Sequence, residues 1–381
     1  MKAFNLSHMS AGFAAVFVGY TSSVAIVIHA ATQLGASSEL IESWLMMLGL
    51  VLGVTSIGYS WHYKRPMLMA WSTPGAVLLA LASESYALPV VVGAFAISGI
   101  MIALTGLIKP ISNVMSRIPS SLGTAMLAAI LLPFCLQAFE PLDSYPAVFM
   151  LMFISYMGAK FLVPKYTMLV LLILGLLCAQ WIGTDSKDIS FTLSSPVWIT
   201  PQAELGAMVS LALPLYVVTM LSQNLPGIAM MKGYGYQTPI QSTLVGTGAF
   251  NALTAPMGVF SINLAAISAA MCMNEDVDKD ASQRFKAVIW AGVFYIFAGL
   301  FASSVVALFL LLPVEIIKML AGFALLGTLL MCLSSAFSDA KYRESALLTF
   351  LFTLSGATVL GISATLVGLL VGIVHLRLTQ R

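Results

Sequence analysis

Charged side chains are scarce: Asp, Glu, Lys and Arg make up 8% of the 381 residues, against roughly 25% in a soluble domain. With 60% hydrophobic residues and a mean hydropathy of +0.98, a soluble globule of this size is excluded, because so few charges could not cover its surface. A bilayer removes the difficulty, since it accepts apolar residues on the outside as well as in the core. A net charge of +2 leaves no basic footprint for nucleic acid. Cysteine is equally sparse. Cys135, Cys178, Cys272 and Cys332 stand far apart within apolar stretches, which excludes a disulfide framework or a zinc spacing and reads as small buried hydrophobes. No metal, no cofactor and no nucleophile-plus-base set is expected, so the chain does not read as an enzyme. Only Lys2 precedes His8 and no small-residue cleavage site follows, so 10–31 reads as a retained first span.

What the chain has in abundance is apolar runs. Hydropathy and turn signals place fourteen spans near 10–31, 38–60, 67–84, 88–108, 119–139, 144–159, 165–183, 205–231, 239–254, 257–273, 286–311, 313–336, 344–360 and 361–377. The third, ninth and tenth fall short of the ~20 apolar residues of a straight spanning helix and are broken by Pro or Gly. Loop charge gives an independent check. With a cytoplasmic N-terminus, only Lys187 and Lys318 of the 17 Lys and Arg residues fall outside, which argues for an even number of spans with both termini in the cytoplasm.

Fourteen spans divide at the long outer loop into 1–183 and 205–381. Because seven is odd, the second half enters the membrane inverted. Two segments at matching places share a pattern. One begins Ala70-Trp71-Ser72-Thr73-Pro74-Gly75 before an apolar run to Ala82, and the other begins Ala255-Pro256-Met257-Gly258-Val259-Phe260-Ser261 before a run from Ile262 to Ala270. Each reads as a short strand followed by a half-helix, since Pro and Gly disfavour a continuous helix and Pro suits a helix start. Both half-helices would then begin near the bilayer midplane, where free N–H groups and a partial positive charge form an anion site without Lys or Arg. A packing kink is the bland alternative. The fold class is therefore an all-α membrane protein with a 7+7 inverted repeat.

The segments Val18-Gly19-Tyr20-Thr21-Ser22-Ser23, Ala70-Trp71-Ser72-Thr73-Pro74-Gly75, Gln223-Asn224-Leu225-Pro226-Gly227 and Asn263-Leu264-Ala265-Ala266 resemble the benzoate transporter (BenE) family over essentially the whole chain. That family is similar in architecture to the uracil and sulfate permeases. The resemblance implies a core domain of spans 1–4 and 8–11 (about 10–108 and 205–311) and a gate domain of spans 5–7 and 12–14 (about 119–183 and 313–377). It implies uptake of a small aromatic carboxylate with protons across a bacterial inner membrane. Tyr20, Thr21, Ser22, Thr73, Pro74 and Gly75, in the first and third spans, are candidate substrate contacts. Two departures stand out. Val259-Phe260 replaces a Gly-Gly-His run, and His29 stands where Gln is frequent, which leaves another small organic acid, or a nucleobase-like solute, as alternatives to benzoate. An anion channel of the same architecture is the alternative in mechanism. A homodimer is one assembly compatible with the sequence.

The polar residues at membrane depth carry separate readings. Gln223 and Asn224 are costly in lipid, so they contact ligand or glue helices together. Asn263, read as lying one turn into the second half-helix, closes the same pocket, while Thr73 and Ser261 cap a half-helix or touch ligand. Tyr20 and Phe260 either wall an apolar slot or simply pack. His29 is the one histidine well inside a span, and no carboxylate is. It is the proton-coupling candidate, with a neutral hydrogen-bonded imidazole as the alternative.

Overall fold

The computed structural model describes residues 6–81, 86–108, 118–182, 193–357, 359 and 364–379, with the side chain of Ser22 outside that set. Lys2, Lys109, Arg117, Lys187 and Arg381, used in the charge count, also lie outside it. Among the described residues, apolar helices surround a single two-stranded ribbon. α1 (Leu6–Gln33) and α2 (Ser38–Tyr63) lead into β1 (Met69–Trp71), followed by α3 (Thr73–Leu81), α4 (Leu88–Leu107), α5 (Ser120–Gln137), α6 (Pro146–Leu162) and α7 (Thr167–Ile182). The second half runs α8 (Leu205–Gly233), α9 (Ile240–Thr254), β2 (Ile262–Leu264), α10 (Ile267–Met273), α11 (Phe285–Leu300), α12 (Ala302–Leu310), α13 (Val314–Ala336), α14 (Arg343–Leu354) and α15 (Ala364–Thr379).

Six helices are long and apolar enough to cross a membrane: α1, α2, α4, Ser120–Ser144, α8 and α13. α11 with α12 gives a seventh if they form one span, bent by 63°. The remaining expected segments are shorter. α3 has 9 residues and α10 has 7, each completed by a strand. All four cysteines are buried and free.

Close helix packing comes from small residues, as expected where lipid supplies no hydrophobic drive between helices. α2 meets α11 with Gly49 against Gly299, where a Cβ on Gly49 would lie 2.6 Å from the Gly299 Cα. α4 meets α9 in the same manner, a Cβ on Gly99 falling 2.7 Å from the Ala252 nitrogen. These two pairs hold the ribbon between them.

β1 and β2 are antiparallel, with Met69 opposite Leu264, Ala70 opposite Asn263 and Trp71 opposite Ile262. Ser72 N–H donates to the Ser261 carbonyl at 3.1 Å and Ala265 N–H to the Leu68 carbonyl at 2.9 Å. On the other side, Ser56 of α2 accepts from Met69 N–H at 2.9 Å. Non-helical backbone survives at this depth because its polar groups are satisfied by protein.

One reading needs correction. The tenth segment does not become helical at Ile262: strand pairing takes Ile262–Leu264, and the half-helix begins only at Ile267. Asn263 is therefore a strand residue. The eighth segment, placed at 205–231, runs through Pro226-Gly227 with two π turns, Met208–Ala212 and Met220–Asn224. Pro214 and Pro226 lack the N–H that would bond four residues back, and widened turns accommodate the freed carbonyls.

Candidate functional site

The ribbon brings the two Pro/Gly breaks together. At the start of α3, Ser72 rather than Thr73 is the cap: its Oγ accepts from Gly75 N–H at 3.0 Å, as N-cap hydroxyls do. Thr73 is half-buried, and its hydroxyl has no partner among the described residues. Pro74 and Gly75 are buried beneath it. A Cβ on Gly75 would lie 3.0 Å from Leu215 of α8, so the turn and α8 approach closely.

β2 supplies the polar groups on the facing side. Ser261, fully buried, has φ 48°, a left-handed conformation that is strained for a residue with a Cβ. Among the described residues its Oγ has no partner, nor does Oδ1 of the fully buried Asn263, whose Nδ2 donates to the Ser261 carbonyl at 3.0 Å. A buried polar atom left unpaired costs about 1–3 kcal/mol, so two on one strand face call for an explanation.

α8 lies against β2 at its second π turn, and here the structure separates two residues that the sequence presents as a pair. Asn224 is buried and committed: Oδ1 accepts from Leu264 N–H at 3.1 Å, and Nδ2 donates to Met220 Sδ at 3.6 Å. Gln223 is half-buried with no partner among the described residues, so its carboxamide is free. Ser222, which sequence reasoning passed over, also has a buried, unpartnered Oγ. Hydropathy could not reveal it; the signal was its position four residues before Pro226.

The aromatic residues fall into two groups. Tyr20 meets Trp71 edge to face, with ring centroids 5.2 Å apart, and Trp71 approaches Tyr295 at 6.4 Å. Trp71 Nε1 donates to Ser23 Oγ at 2.9 Å, which donates on to the Gly19 carbonyl. Phe260 belongs elsewhere, packed on Phe95 at 5.5 Å, which in turn meets Trp44. The pairing of Tyr20 and Phe260 across one slot is therefore not seen. Thr21 returns its hydroxyl to the Phe17 carbonyl of its own helix at 2.7 Å.

His29 lies one turn from the end of α1, not at its centre. Its ring stands edge-on to Phe134 of α5 at 6.1 Å and makes no hydrogen bond among the described residues. On α13, Lys318 pairs with Glu140 at 2.6 Å. At the other end of α1, His8 contacts Asp278 at 2.9 Å, and Ser7 donates to the Val277 carbonyl. A cavity of about 360 Å³, lined by Ser10, Ala14, Met271 and Asn274 among others, opens there. No His, Cys, Asp or Glu cluster suited to a metal occurs among the described residues.

The family model described as "Benzoate membrane transport protein" (BenE) matches residues 2–378. The inner membrane protein YdcO of Escherichia coli (strain K12) is 40% identical over 363 residues, 95% of this chain and 93% of its own length. The benzoate membrane transport protein of Acinetobacter baylyi is 34% identical over 369 residues, covering 97% and 94%. Among solved structures, the transmembrane domain of the cyanobacterial bicarbonate transporter BicA matches with TM-score 0.63 and 12% identity over 97% of this chain and 98% of that one. The murine anion transporter Slc26a9 in its inward-facing state matches with TM-score 0.65 and 14% identity over 100% and 69%. Those two likenesses show the fold. With a match over nearly its whole length, this multi-pass membrane protein belongs to the benzoate membrane transport protein family, a family of transporters and not of enzymes.

Proposed function

We propose that this chain imports a small aromatic carboxylate, benzoate-like, together with protons, by alternating access of a core domain (about 10–108 and 205–311) against a gate domain (about 119–183 and 313–377). The observation that carries the reading is the set of unpartnered polar groups beside the ribbon: Thr73 Oγ1, Gln223, Ser261 Oγ and Asn263 Oδ1. Hydroxyls and the start of α3 donate to a carboxylate, and Asn263 Oδ1 accepts from an acid that still holds its proton. Such a centre tolerates both forms of the substrate.

The contact pattern supports fourteen crossings in two inverted halves. If each span corresponds to the one seven later, the pairing of α4 with α9 maps onto that of α11 with α2, and the ribbon maps onto itself. Loop charge favours cytoplasmic termini, and the Escherichia coli relative is named an inner membrane protein. The cavity at the start of α1 is then the inner mouth.

His29 is the coupling residue in this reading, since its contact with Phe134 bridges a core helix and a gate helix. Uptake of labelled benzoate and related acids into proteoliposomes tests the function. Saturable, pH-driven accumulation supports it, and flux that does not saturate identifies a channel. For His29→Gln, which stays polar but cannot titrate, a changed pH profile is expected. An unchanged profile assigns the proton to the acid bound at Asn263.

A further inference from the structure

The start of α1 is tied to the segment between α10 and α11 by side chains that its helix does not require. His8, 3% exposed, meets Asp278 Oδ2 through Nε2 at 2.9 Å, and Ser7 Oγ donates to the Val277 carbonyl at 2.9 Å. Asp278 is engaged on two further sides: its Oδ1 accepts from Asp280 N–H at 2.9 Å, and its carbonyl accepts from Arg284 Nε at 2.7 Å. Arg284, buried, also donates from Nη1 to the Met273 carbonyl at 2.8 Å, which fixes the segment to the end of α10. Parting from His8 therefore leaves the segment in place and frees the first turns of α1. Those turns form one wall of the 360 Å³ cavity, with Ser10 and Ala14 on α1 and Asn274 and Val277 on the facing side.

The contact changes strength with pH. Imidazole is the side chain that exchanges its proton between pH 5 and 8. With the proton, His8 and Asp278 form an ion pair joined by a hydrogen bond; without it, only the hydrogen bond remains. Asp278 is half-buried, so the pair is partly screened and its loss shifts the docking of α1 by about two- to fivefold. Other charges bear on the ring. Arg284 opposes a positive His8, while Glu275, Asp276 and Asp280, exposed on the same segment beside the exposed Lys279, favour it. α1 itself has no Asp, Glu, Lys or Arg and α10 has none, and α11, which α1 meets at Gly12 one turn later, adds the half-buried Lys286. Among the described residues, Asp278 is the one charged group in contact with the ring.

We propose that His8 and Asp278 form a pH-sensitive clasp at the inner mouth: a proton on His8 holds the start of α1 in the arrangement seen here and delays the departure from it, so that acid on the cytoplasmic side restrains uptake. Stabilising one arrangement of a cycle lengthens the time spent in it. An importer that brings protons in with its substrate acidifies the compartment it fills, and the clasp tightens as substrate accumulates. The effect on uptake rests on the proposed proton-coupled alternating access with the cavity on the cytoplasmic side; the clasp itself does not.

The purified full chain tests the clasp. Hydrogen exchange of the amides of residues 10–14, corrected for its intrinsic rate, reads how often the first turns of α1 open. From about pH 6 to about pH 8, opening is expected to rise two- to fivefold in the wild type. It should stay level in His8→Gln, which cannot titrate, and in Asp278→Asn, which keeps an acceptor for Asp280 N–H but removes the charge. Either variant suffices if the other does not fold. The same pH dependence in wild type and variant overturns the clasp. In proteoliposomes oriented with the N-terminus inside, lowering the internal pH at constant external pH should slow wild-type benzoate uptake two- to fivefold more than uptake by His8→Gln, the loss of proton gradient being common to both. Equal slowing overturns the restraint on uptake. If benzoate is not taken up by either protein, the transport reading fails, and the exchange measurement still decides the clasp.

Discussion

Asn224→Ala and Gln223→Ala form the most discriminating pair of substitutions. Asn224 Oδ1 is the acceptor for Leu264 N–H, 3.1 Å away on β2, and both groups are buried. Truncation leaves that amide without a partner in an interior that water does not reach, at a cost of about 1–3 kcal/mol. The lost carboxamide also leaves a void, so the upper part of the range applies. Because Leu264 is opposite Met69 and adjacent to Asn263, β2 should shift and carry the acid centre with it. Affinity is then expected to fall along with stability. Gln223 makes no such bond, so its truncation should spare stability and weaken substrate binding by about ten- to 150-fold, one hydrogen bond to an anion. Thermal midpoints in detergent, compared with calorimetric affinity for the transported acid, read both effects. An Asn224→Ala protein that keeps its midpoint but loses binding would refute the assignment. A Gln223→Ala protein destabilised as much as Asn224→Ala would refute it from the other side.

Gly49→Val should separate α2 from α11, since a Cβ there meets the Gly299 Cα at 2.6 Å; a loss of about 1–3 kcal/mol is expected from overpacking, read as a lowered thermal midpoint. Ser261→Gly should raise stability by up to about 1 kcal/mol by relieving the positive φ, yet slow uptake because the free hydroxyl is gone; a variant of unchanged rate would remove Ser261 from the acid centre. Asp280, in the segment between α10 and α11, has its carboxyl held below the ordinary range by the Ser282 hydroxyl and N–H. A depressed carboxyl stabilises this turn above its ordinary pKa of about 3.9 and loses that contribution as pH falls through the lower folded value. Exchange of the Ser282 amide, corrected for its intrinsic rate, should therefore accelerate only in acid, and in Asp280→Ala should be fast at every pH.

The sequence alone determined the solvent of this protein, because 8% charge in 381 residues admits only a bilayer. It also determined where the backbone leaves the helix, because proline lacks an N–H wherever the chain goes, and Thr73-Pro74-Gly75 and Ala255-Pro256 through Gly258 mark both places. The motifs at Gln223-Asn224 and Asn263 placed the polar groups beside those breaks. The rotation of each helix and the register of the ribbon were not legible. A helix buried in lipid and protein is apolar all round, so no amphipathic stripe tells which face Tyr20, Phe260 or His29 presents. A three-residue strand carries too little periodicity to announce itself, and Asn263 was read as helical for that reason. Only the tertiary structure committed Asn224 to Leu264, left Gln223 without a partner among the described residues, put Phe260 with Phe95 and set His29 near the C-terminal end of α1 against Phe134. Those assignments depend on close packing at glycines such as Gly49 and Gly99, whose partners lie far away in the chain.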